Sequence, residues 1–220
     1  MTGPWQVLVT AGPLASYFSL LAIWHGGRHP RIISGPVDAA LLAFGLGGLV
    51  TFGPFGQLVA AMLFGVPGAR HWLALTLAMA LAGSLMARGS ARRLVVYHVD
   101  PEILDRAMED VLDLRGDRYV RTIGGFEDRP RSHGLTVQVV PLLGTAVIEA
   151  IGPDPGPRIQ DLKGRLQPRL EWAPTPTATV AGILYGLSAL TTLIPLAWMF
   201  LAQPRAREAL RVLLRRLQGG

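Results

Sequence analysis

Four stretches of this chain contain no Asp, Glu, Lys or Arg: Met1 to Gly27, Ala39 to Ala69, His71 to Ala87 and Trp172 to Pro204. A hydrocarbon core asks for roughly 18 uncharged, mostly apolar residues in a row, and a soluble chain rarely sustains several such runs. The runs read as membrane spans. With no water to take up exposed backbone N–H and C=O groups, a span of this kind closes its hydrogen bonds internally as a helix. The expected fold class is therefore integral membrane α-helical, with about four transmembrane helices and one small inserted α+β domain.

The first span runs from about Trp5 to Trp24, which lie roughly 28 Å apart along a helix, so that an indole reaches each interface. Pro13 predicts a kink. No Lys or Arg precedes this run, and no small-x-small site stands before His25, so it reads as a retained span. The basic segment His25 to Gly35, with Arg28 and Arg31, reads as a loop. The second apolar stretch, 36–65, begins at Gly35-Pro36-Val37-Asp38, with proline at the helix start and an acid in the first turn. At about 45 Å if wholly helical, it is too long for one upright span. Gly53-Pro54 then either kinks one long tilted helix, the favoured reading, or separates a span from a half-helix over Gln57 to Gly65. The third span, 72–87, is closed by Arg88, Arg92 and Arg93, so 1–93 forms a membrane region.

From 94 to 171 the pattern is that of a small soluble domain, strand–helix–three strands–helix. Leu94 to Val99 reads as a strand. Asp100-Pro101-Glu102 starts a helix whose apolar face is Ile103, Leu104, Ala107, Met108, Val111 and Leu112, closed at Gly116. Tyr119 to Ile123, Leu135 to Leu142 and Thr145 to Ile151 read as strands, with a hairpin turn at Leu142-Leu143-Gly144-Thr145. Arg158 to Glu171 reads as a second helix, buried through Ile159, Leu162, Leu166 and Leu170. A small antiparallel sheet with both helices on one face, in the general manner of ferredoxin-like domains, accommodates this order. Residues 172–204 hold a proline-rich linker and the fourth span, about Pro176 to Ala202. The tail, 205–220, reads as an amphipathic helix with Leu210, Val212, Leu213, Leu214 and Leu217 opposite Arg207, Arg211, Arg215 and Arg216, suited to an anionic membrane surface.

Charge divides along the same boundary. Residues 94–171 hold 13 acidic and 10 basic side chains, and the remainder holds 2 and 11, so the pI near 10.7 belongs to the membrane part. Arginines bordering apolar spans face lipid headgroups, which argues against a nucleic-acid partner. The single Lys163 beside 20 arginines, with no Cys or Asn, fits a bias toward GC-rich codons of a bacterial kind. It excludes disulfides and thiol chemistry. The basic flanks divide five against six between the two sides, and the first span tips the domain toward the cytoplasmic face of the cell (inner) membrane.

No catalytic, cofactor-binding or metal-binding residue is assigned, and no cofactor is expected. Gly45-Leu46-Gly47-Gly48 lacks the spacing and the preceding strand of a nucleotide loop. Asp38 reads as a carboxylate placed on the helix dipole, with a proton or ion role as the sharper alternative. His25 and His29 have an i, i+4 spacing, but glycines and Pro30 place them in a loop as interfacial polar residues; His71 carries no motif. His98, with Asp100 and His133, offers acid–base groups without a nucleophile, and His98 reads as a surface strand residue. Small residues recur every four positions at Ala39, Ala43, Gly47 and Thr51, at Ala74, Ala78 and Ala82, and at Ala178, Gly182 and Gly186. They suit close helix packing within one bundle, or against a partner or second copy. The functional expectation is a non-enzymatic membrane anchor, assembly or regulatory module whose α+β domain binds a protein, with the lipid bilayer as its other partner. A small transporter or transporter subunit, and then a membrane-embedded hydrolase, are the alternatives.

Overall fold

The computed structural model describes residues 4–27, 29–64, 69–115, 119–122, 124–128, 133–173 and 180–202. In chain order the elements are α1 (Pro4–His25), β1 (Arg31–Ser34), α2 (Gly35–Phe52), α3 (Pro54–Phe64), α4 (Ala69–Gly89), β2 (Arg93–Tyr97) and α5 (Pro101–Arg115). They continue as β3 (Val120–Thr122), β4 (Gly125–Asp128), β5 (His133–Val140), a 3-10 turn (Pro141–Leu143), β6 (Thr145–Ile151), α6 (Pro155–Glu171) and α7 (Val180–Leu201). The amphipathic tail, Gly116 and most of the linker before α7 lie outside the described residues.

Four helices are long and apolar enough to cross a membrane, within α1, α2, α4 and α7. The stretch 36–65 is not one kinked helix. Proline disfavours helical geometry in the residue before it, and Gly53 is extended (φ −77°, ψ −174°), its N–H ending α2 on the Leu49 carbonyl at 3.1 Å. A new helix, α3, begins at Pro54. Its 11 residues reach about 16 Å, half a bilayer. Pro13 and Pro195, by contrast, lie inside continuous helices. The principal packing runs α7 on α1, α1 on α2 and α2 on α4, so the four helices form an open row.

The sheet is six-stranded and antiparallel throughout, in the order β1-β2-β6-β5-β4-β3. Two of its strands depart from the sequence expectation. Arg31 to Ser34, expected as loop, pairs with β2 in the register Arg31↔Tyr97 to Ser34↔Leu94. Gly125 to Asp128 forms a strand of its own, paired with β3 and β5, so four strands follow α5 instead of three. The ferredoxin-like comparison extends only to helices on one face of an antiparallel sheet, because that arrangement requires parallel crossovers and every neighbouring pair here is antiparallel.

Alternation along the strands sends side chains to opposite faces. Leu94 and Val96 of β2, Ala146, Ile148 and Ala150 of β6, and Leu135 of β5 meet Leu104, Met108, Ile159, Leu162, Leu166 and Leu170 of α5 and α6 in one buried core. Val95 and Tyr97 point the other way and pack with Leu21, Tyr17, Trp24, Ile33, Val147 and Tyr185. Over β1, β2 and Val147 of β6 the second face of the sheet is thus closed by α1 and α7, whereas Gln138 and Val140 of β5 are exposed. That is why Leu94-Val95-Val96-Tyr97 reads as a continuous apolar run: β2 is covered on both sides.

Candidate functional site

Where the sheet meets the long apolar helices, polar side chains from separate segments converge. His25 is the last residue of α1 and is fully buried. Its Nδ1 lies 2.9 Å from the Leu21 carbonyl and its Nε2 lies 3.0 Å from the Leu143 carbonyl in the turn between β5 and β6. Tyr185 of α7 stands against its ring, centroids 5.1 Å apart, and Tyr97 of β2 at 5.6 Å. Gly182 permits this contact: a Cβ there would meet the His25 Cβ at 3.3 Å.

Tyr97 is nearly buried, with its ring against Trp24, and its hydroxyl donates a hydrogen bond to Asp38 Oδ1. Burial, then the hydrogen bond and the charge of Asp38, raise the Tyr97 phenol well above its ordinary range, so it remains a donor. Asp38 does lie in the first turn of α2, at the positive end of the helix dipole, and Tyr97 gives it a second tie.

His98 follows β2 directly and is a correction to the expected surface histidine. It is 1% exposed and adopts a left-handed backbone (φ 59°). Its ring centroid is 6.3 Å from that of His25, and its Nδ1 is buried without a hydrogen-bond partner. Burial first, then His25, lower the pKa of His98.

Other residues singled out in the sequence are dispersed. Asp100 accepts the Glu102 N–H at 2.8 Å and so starts α5. Register places His98 beside the Thr145 end of β6 and His133 beside the Ile151 end, roughly 20 Å apart at about 3.3 Å per residue. The acid–base set His98, Asp100 and His133 is not assembled. His29 is exposed while His25 is buried, so that pair is not a shared site. His71 lies in the first turn of α4, far from both along the chain. Among the described residues, no three His, Asp or Glu side chains group as metal ligands would. Tyr17, Tyr97 and Tyr185, which shape the node, were missed by sequence reasoning. The available signal was a phenol within an otherwise aliphatic strand, since a buried tyrosine hydroxyl usually has a partner.

Small-residue faces divide into two kinds. On α2, Ala39 and Thr51 are buried, and Ala43 faces Gly83 of α4. On α4, Ala74, Ala78 and Ala82 are exposed, because α4 meets α2 through its opposite side. Between α1, α2 and α4 lies an apolar groove of about 530 Å³, lined by Pro13, Ala43, Gly47, Thr76, Gly83 and Ser84 among others. The Thr76 and Ser84 hydroxyls in it donate to carbonyls of their own helix.

Comparison of the chain with protein-family models, with curated proteins and with solved structures finds no match.

Proposed function

We propose that this protein is a non-enzymatic membrane module that works by binding another protein, as an anchor, assembly or regulatory component. The observation that carries this reading is the outer face of α4, where Ala74, Ala78 and Ala82 stand exposed among Leu73, Leu77, Leu81 and Leu85. Leucines facing lipid are ordinary. A column of alanines beside them admits a second helix at close range, where dispersion and weak polar contacts hold helices together. Among the described residues, the open row of helices leaves that face clear of α1, α2 and α7. The test is co-isolation in mild detergent of the wild type and an Ala74→Leu/Ala78→Leu variant. A partner or second copy that accompanies the wild type and is lost from the folded variant supports the reading. A lone monomer from both, under several mild conditions, retires it.

A second reading, a small transporter or transporter subunit, is favoured by the break at Gly53-Pro54, since interrupted helices form transport sites. Asp38 does not line the groove near that break, and the groove's Thr76 and Ser84 hydroxyls are engaged within α4. Flux in liposomes tests it: solute or ion movement above protein-free vesicles would establish transport.

A further inference from the structure

We infer that His25 is a proton-operated clasp between α1 and the sheet: charged, it grips the Leu143 carbonyl, and neutral, it lets the β5–β6 turn go. Donors and acceptors decide between the two states. A carbonyl oxygen only accepts, and a neutral imidazole has a single N–H. With carbonyls at 2.9 Å from Nδ1 and 3.0 Å from Nε2, a neutral ring makes one hydrogen bond and sets a lone pair against the other oxygen. The imidazolium makes both. The Leu21 bond lies within α1 and is four residues away, so the long-range bond to Leu143 is the one lost on deprotonation.

His25 ends α1, where the helix dipole favours positive charge. Tyr185, at 5.1 Å, and Tyr97, at 5.6 Å, are close enough for their rings to attract a cation. Among the described residues, the titratable groups against its ring are Tyr97 and His98 at the end of β2 and Tyr185 on α7, with Asp38 on α2 and Tyr17 on α1 beyond them, next to Tyr97. The 3-10 turn contributes only its backbone carbonyl. His98 sets the opposite limit: its Nδ1 has no acceptor, and a proton there would place a second positive ring 6.3 Å from His25. The clasp therefore holds between two limits. Alkali opens it at His25, and acid strains it at His98.

The experiment uses the full chain in lipid nanodiscs, with ¹⁵N-labelled histidine, titrated from about pH 5 to about pH 9 to span the histidine range. The ring ¹⁵N shifts of His25 are assigned with His25→Gln. Exchange of the Gly144 and Thr145 amides, corrected for intrinsic rate, reports the turn. We expect both His25 nitrogens to be protonated at the acid side of its titration, and protection of the turn to fall about tenfold as the proton leaves, the equivalent of one charged hydrogen bond. A His98→Asn variant should retain this alkaline fall. If His25→Gln does not fold, replacing the other histidines singly assigns the resonance by elimination. A neutral His25 tautomer throughout the range, or turn protection that ignores its titration, overturns the clasp.

Discussion

Tyr97 and His98 are adjacent, yet the sheet turns them to different chemistry. The Tyr97 hydroxyl ties β2 to the start of α2 through Asp38. Tyr97→Phe leaves a part-buried carboxylate without that donor and is expected to cost about 1–3 kcal/mol, measured by denaturation in detergent. The Tyr97→Phe/Asp38→Leu double variant should cost less than the two single variants summed, because the partners share one interaction. His98 acts through its proton. Its folded pKa is lowered, so the unfolded chain takes up a proton first as pH falls. The stability it contributes is complete above its unfolded pKa of about 6.5 and is lost as pH drops through the lower folded value. The difference in stability between wild type and His98→Asn should therefore shrink in acid. Asparagine removes the titration while tolerating the left-handed backbone at this position. A difference that does not vary with pH would show that His98 does not titrate in this window.

At the scale of the element, α1 and α2 approach closely enough that position matters more than residue type. A Cβ at Gly48 would lie 2.5 Å from the Val9 carbonyl, whereas one at Gly47 meets nothing within 4 Å. Gly48→Leu is thus expected to destabilise the folded chain by about 1–3 kcal/mol or more through overpacking, and Gly47→Leu far less, with thermal unfolding in detergent as the measure. Equal losses would place the close contact elsewhere. The same elements show what was legible in advance. The spans stood out because each is a long uncharged run, and α5 and α6 because their apolar residues repeat at helical spacing. β1 was hidden because Arg31-Ile32-Ile33-Ser34 is short and pairs with residues some sixty positions later. β4 was hidden because Phe126 is the only large apolar residue in Gly125 to Asp128. Which side of α4 faces α2 was equally hidden, because small residues lie on both its faces. The polar node could not be read at all, since its groups come from α1, α2, the end of β2 and α7, and only the folded sheet brings them together.

For the molecule as a whole, the sheet is shared property: α5 and α6 cover one face, and α1 and α7 cover the β1–β2 side of the other. A fragment of residues 93–171 would lose β1 and bare Val95, Tyr97 and Val147. We expect it to bind ANS strongly and to self-associate on size exclusion, since such an apolar surface seeks cover. A monodisperse fragment that unfolds cooperatively and binds no dye would show that the domain stands alone. The β1–β2 ladder has a further consequence. Hydrogen-bonded strands must share a compartment, so any passages through a bilayer between Ser34 and Arg93 are even in number. Helices α2 and α4 are each long and apolar enough for one passage, and if both cross, parity leaves none for α3. Arginine counts that balance so nearly could let a nascent chain insert either way up, but the ladder obliges the two loops it joins to choose the same side.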